Sequence, residues 1–180
     1  MISKIIEEYY QKLCEEWELK NKTQPKIPYN KRVSTDFYLG KEDSEGYIEW
    51  KILKVRNPIV KNSMDKDLGI ILHDDIYEFF NSYYFLDISG FIDDNEIVLH
   101  SLTPDTNHLI FLRRRFENLE INTERIRYIQ LGDYSTSENS FLLCFDNDTG
   151  EIVYHDPENA SVQIVSDSLE ELLQKLTPRY

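Results

Sequence analysis

Two cysteines, Cys14 and Cys144, and four histidines, His73, His100, His108 and His155, are the side chains best able to act as nucleophiles or metal ligands. A Cys144–His155 pair on neighbouring strands would hold the parts of a nucleophilic centre. Cys144, however, stands in Phe-Leu-Leu-Cys-Phe, an apolar run that reads as core and makes it a small structural hydrophobe. No two histidines share the i, i+4 spacing that holds zinc on a helix. Asp146, Asp148 and Glu151 gather oxygens but lack the loop length and distal Glu of a calcium site, and a polar hairpin tip accounts for them. The six glycines are isolated, so no phosphate cradle is built. Adjacent carboxylates, Asp74/Asp75 and Asp93/Asp94, fall where a helix cap and a turn need them. The expectation is a protein with no catalytic residue, no metal and no cofactor. A small Cys/His enzyme is the weaker alternative.

The 180 residues suit one domain, 1–180, with 12 Tyr, 9 Phe and 2 Trp to build a core. Two lone cysteines argue against a disulfide framework and for a reducing compartment. Acids interrupt the first ten residues where a signal peptide would be apolar, and no run reaches the length of a membrane span. The expected place is the cytoplasm. A net charge of −13 opposes binding to nucleic acid, which needs Lys and Arg against phosphates. The same field attracts basic surfaces.

The periodicities supply the scaffold. Ile2, Ile5, Ile6, Tyr9, Leu13 and Trp17 predict an amphipathic helix over 2–20, with Glu8, Glu15 and Glu18 on its outer face. A basic, proline-bearing loop follows at 20–32. Ile48, Trp50 and Ile52 alternate in a half-buried strand, Tyr47 to Leu53, that favours Trp50 as core. Leu72, Ile76, Phe79, Phe80 and Tyr83 mark a helix begun at Asp74 or Asp75. Leu86–Phe91 and Glu96–Leu102 predict a hairpin about Asp93-Asp94-Asn95. Thr103 and Pro104 are expected to open a further helix carrying Leu109, Leu112, Phe116 and Leu119. Strands are expected at Arg125–Leu131, ended by Gly132-Asp133, at Ser140–Phe145, Glu151–His155 and around Val162 and Ile164. Ser168 and Glu171 fit a capping box on a last helix that Pro178 stops. The sum is an α+β fold with helices on a mostly antiparallel sheet.

Six stretches, in this order and spacing, resemble the Syd family of the SUKH superfamily. They are Tyr10 to Trp17, Tyr47 to Trp50, Leu68 to Phe80 with its Gly69, Ile129-Gln130-Leu131-Gly132 with Asp148 to Ile152, and Ser168 to Leu173. The resemblance implies an acidic, cytoplasmic, non-enzymatic module whose acidic concave face docks on basic cytoplasmic loops of the SecY translocon. Any membrane association would then be peripheral and through that partner. Toxin-neutralising immunity proteins of the same superfamily are the alternative, and they ask for the same acidic surface. On either reading the candidate contact residues are Glu15, Glu18, Glu45, Glu49, Asp74, Asp75, Asp93 and Asp94.

Overall fold

The computed structural model describes residues 1–117, 119–122, 124–156, 158–159 and 161–179. Helix α1, Ile2–Asn21, buries Ile2, Ile5, Ile6, Tyr9 and Leu13, the face its spacing predicts. It ends where Lys22 turns left-handed and its N–H reaches the Glu18 carbonyl at 3.0 Å. The basic loop that follows contains a short strand, β1 (Lys26–Pro28), then a 3-10 turn at Thr35–Phe37 and strands β2 (Tyr38–Leu39) and β3 (Tyr47–Trp50). These form a small antiparallel sheet in the order β1-β3-β2. The alternation reads correctly here: Trp50 is only 2% exposed and its ring meets Tyr10 edge-on at 5.4 Å. The expected strand stops early, and Leu53–Lys54 pairs instead, as β4, with β5 (Tyr83–Tyr84).

Helix α2, Lys61–Leu68, escapes a reading by apolar stripe because it has no fully buried residue. Helix α3, Asp74–Ser82, is where the stripe puts it, but its cap is neither Asp74 nor Asp75. His73 caps it, Nδ1 accepting from the Asp75 N–H at 3.2 Å. Strands β6 (Ile88–Ile92) and β7 (Asn95–Leu99) make the expected hairpin, with Asp93 at φ 53 in its turn. Helix α4 spans His108–Arg114 and starts later than Thr103-Pro104 suggests. Asn107 is its cap, and Thr103 is occupied by a hydroxyl contact to Thr106 at 2.7 Å.

Strands β8 (Tyr128–Ser135), β9 (Ser140–Asp146), β10 (Ile152–Asp156) and β11 (Ser161–Ser166) follow, then α5 (Leu169–Lys175) and β12 (Thr177–Pro178). Gly132 does not end β8. The strand runs through it, with a register shift between Gln130 and Gly132. A Cβ at Gly132 would stand 1.9 Å from the Val98 carbonyl oxygen, so the ladder closes there only around a glycine. Pro178 does not merely stop α5 either, because it pairs with Gly90.

The large sheet is antiparallel, in the order β11-β10-β9-β8-β7-β6-β12. Its inner face carries Ile88, Ile97, Leu99, Ile129, Leu143, Phe145 and Ile152, in one core with residues of α1, α3 and α5. The α+β architecture, with helices packed alongside antiparallel sheet, is the one the sequence predicts.

Candidate partner-binding face

Residues paired across a sheet point to the same side. The registers Ser89↔Val98, Val98↔Asp133, Asp133↔Leu142, Leu142↔His155 and His155↔Val162 therefore draw one row across the face opposite the core. Gln130, Cys144, Val153 and Ile164 form the next row. The glycine at 132 sets this geometry. It lies opposite the core residues Leu99 and Leu143, which turns Asp133 outward. Leu119 and Ile121 pack over Cys144 and Val153, and elsewhere Phe91, Leu142, Val162 and Ile164 remain exposed.

A cleft of about 820 Å³ opens between this face and the 27–38 segment, lined by Asp87, Ser89, His100 and Arg115 together with Tyr29 and Tyr38. A smaller one, about 340 Å³, lies over Asp133, Cys144 and His155. Between the two runs a polar chain. Arg115 Nη1 donates to His100 Nδ1 at 2.6 Å, and His100 Nε2 lies 3.1 Å from Asp133 Oδ2. With Nδ1 accepting from a guanidinium, the proton belongs on Nε2 and the imidazole is neutral. Burial, then the Arg115 charge, holds the His100 pKa below its ordinary value against the pull of Asp133. The Arg115 guanidinium also lies 4.4 Å over the Phe111 ring.

Asp87 and Arg115 line the larger cleft, and one atom of each, Asp87 Oδ1 and Arg115 Nε, is buried beneath its surface without a hydrogen-bond partner among the described residues. Burial pushes the Asp87 carboxyl above the usual carboxylate range, opposed by the Ser89 hydroxyl and Arg179. A buried acceptor and a buried donor left unmatched cost free energy, and such groups ask for an explanation beyond the packing of the fold.

The acids singled out in the sequence occupy other elements. Glu15 and Glu18 are exposed on α1 and line one depression with Leu19 and Lys22. Glu45 and Glu49 act electrostatically on Lys26, which bonds Asp43 at 2.8 Å, so the basic loop is partly neutralised by the acids beside it. Asp74 pairs with Lys61, and Asp75 lies 3.8 Å from His73 Nδ1. Asp93 and Asp94 are exposed at the β6–β7 turn. Asp87, His100 and Arg115 were missed as a group. Polar Asp87 and Ser89 alternating with Ile88 signalled an outward face, but their meeting with Arg115 depends on the sheet and α4 together.

The Cys144–His155 pairing does not form. Cys144 lies opposite Val153 and His155 opposite Leu142, and no hydrogen bond joins the buried thiol to the imidazole among the described residues. Burial pushes the Cys144 thiol up to about 12, which keeps it protonated and unreactive. Asp146 is held by Arg127, whose Nε donates at 2.9 Å, and no group of three candidate metal ligands occurs among the described residues. No helix among the described residues is long and apolar enough to cross a membrane.

The model of the Syd protein family (SUKH-2) matches residues 3–106, more than half of the chain. A relative from Alteromonas mediterranea, Protein Syd, is 25% identical over 139 residues, covering 73% of this chain and 72% of its own.

Proposed function

Because the chain belongs to the Syd family, we propose that it is a non-enzymatic protein-binding module that docks on basic cytoplasmic loops of the SecY translocon. On this reading it is a cytoplasmic protein, held peripherally at the membrane by its partner alone. The observation that carries the proposal is Asp87: a half-buried carboxylate with one oxygen unmatched among the described residues, lining a roomy cleft at the outward face of the large sheet. A lysine or arginine that enters the cleft pairs with the Asp87 carboxylate. The net charge of −13 draws such a partner in, and Glu15, Glu18, Glu45, Asp74, Asp93 and Asp94, which are exposed, with the half-buried Glu49 and Asp75, supply part of that field.

The test is affinity capture from native cells with gentle crosslinking, repeated at low salt and at ~0.5 M salt. SecY retained at low salt and lost at high salt supports the proposal. Retention of a secreted toxin instead replaces the translocon with an immunity role, and a folded bait that retains nothing above background overturns both.

A further inference from the structure

The seven-stranded sheet ends differently on its two sides. At one edge β12 is two residues long and contains Pro178, which has no N–H to offer. That edge is blunted. At the other, β11 reads Ser-Val-Gln-Ile-Val-Ser, six residues without a charge, proline or glycine. All of its ladder bonds go to β10, and no other backbone–backbone bond among the described residues involves 161–166. Alternate residues of an antiparallel strand direct N–H and C=O away from their neighbour, so β11 presents an unmatched row along its outer side. Val162 and Ile164, 37% and 59% exposed, stand on the same face as the clefts and extend the rows through His155 and Val153.

We propose that β11 is a docking edge, on which an extended segment of a partner protein adds as an eighth strand. This rests on the reading of the chain as a protein-binding module, but uses a surface separate from Asp87. Main-chain hydrogen bonds supply the attachment, and apolar side chains of the incoming strand cover Val162 and Ile164. Charge selects the occupant. The strand is neutral, but acids stand at both of its ends: Asp156 and Glu158 before it and Asp167 after it. An added segment is therefore apolar at its centre and basic at its ends. A second copy of this chain fits poorly. Pairing β11 antiparallel to itself sets Glu158 of one molecule beside Asp167 of the other, between two bodies each of charge −13.

The test uses the full chain, isotope-labelled, titrated with the peptide Lys-Val-Thr-Ile-Thr-Val-Lys and with the same peptide ending in Glu at both ends. The expected result is amide shifts and slowed exchange within 161–166 for the lysine-ended peptide only. Ile164→Lys should weaken that binding about tenfold or more and leave the urea midpoint unchanged, because the side chain is exposed. Shifts centred on Asp87 and lost in Asp87→Asn, with 161–166 silent, would assign the peptide to the cleft and overturn the edge proposal while leaving the docking function intact. A doubling of molecular mass in light scattering that Ile164→Lys abolishes would overturn the choice of occupant in favour of a second copy. Loss of SecY capture with intact peptide binding at β11 would break the proposed function and spare the edge.

Discussion

On the covered side of the large sheet, Ile88, Ile97, Ile129, Leu143, Phe145 and Ile152 meet α1, α3 and α5 in one apolar core. On the reverse side the same strands present Ser89, Val98, Asp133, Leu142 and His155. The first face holds little that could recognise a partner. The second holds a buried carboxylate oxygen and a buried guanidinium nitrogen that are unmatched among the described residues, an arrangement that detracts from stability. Strand alternation thus lets one sheet divide its labour, with stability on one side and polar recognition on the other.

The sharpest break in that division would come from Phe145, fully buried and packed against the His73 ring at 5.3 Å. Phe145→Ala is expected to lower unfolding free energy by about 3–5 kcal/mol, read from urea denaturation. Binding per folded molecule should not change. Gly132 sits at the seam between the faces. The backbone clash of a new Cβ with Val98 predicts a loss of about 3 kcal/mol for Gly132→Ala. A loss below about 1 kcal/mol would mean the ladder yields locally and that the outward turn of Asp133 does not depend on the glycine.

Much of this was legible from periodicity. The buried stripe of α1, the β6–β7 hairpin and Ser168 as a cap all follow from local chemistry, because each signal lies within a few residues of what it decides. Local signals misplaced what distant contacts decide. Thr103-Pro104 looks like a helix start, yet Asn107 wins once Thr103 is engaged by Thr106. Gly132-Asp133 looks like a strand end, yet the glycine is there so that β7 can come close. The cleft was hidden for the same reason: Asp87, His100 and Arg115 lie on β6's approach, β7's exit and α4's end, and only the assembled sheet brings them to one cleft.

A smaller effect belongs to the core-side helix α5. The Ser168 hydroxyl accepts the Glu171 N–H at 3.1 Å, while the Glu171 carboxylate reaches back to the Asp167 N–H and the Ser166 hydroxyl, both at 2.9 Å. Ser168→Ala should cost about 1 kcal/mol. Lys175, then the Ser166 hydroxyl and the Asp167 N–H, draw the Glu171 carboxyl down to about 2. Its folded pKa is below its unfolded one, so its stabilisation is complete above the ordinary glutamate range and fades as pH falls toward about 2. Glu171→Gln should flatten the stability-versus-pH curve in that window.

Asp87→Asn gives the smallest expected change in stability and separates the two faces most directly. Burial raises the Asp87 carboxyl above its ordinary value, and Glu96 adds to that against Ser89 and Arg179. A carboxyl with a folded pKa above its unfolded one opposes folding wherever it is ionised in the folded chain. The opposition is complete above the raised value and relaxes as pH falls through it, where the folded state takes up the proton first. At neutral pH the asparagine variant should therefore be at least as stable as the wild type, and its advantage should shrink as pH enters the carboxylate range. Partner binding should move the other way. Asparagine keeps the shape and a contact for Ser89 but carries no charge to form an ion pair with a lysine or arginine, so affinity at neutral pH falls. Wild-type affinity should itself weaken on acidification as Asp87 takes up its proton. Urea midpoints and partner titrations across that pH range measure both. A variant that loses more than about 1 kcal/mol of stability would make Asp87 a structural group, and the division between the faces would then fail at the residue on which it most depends.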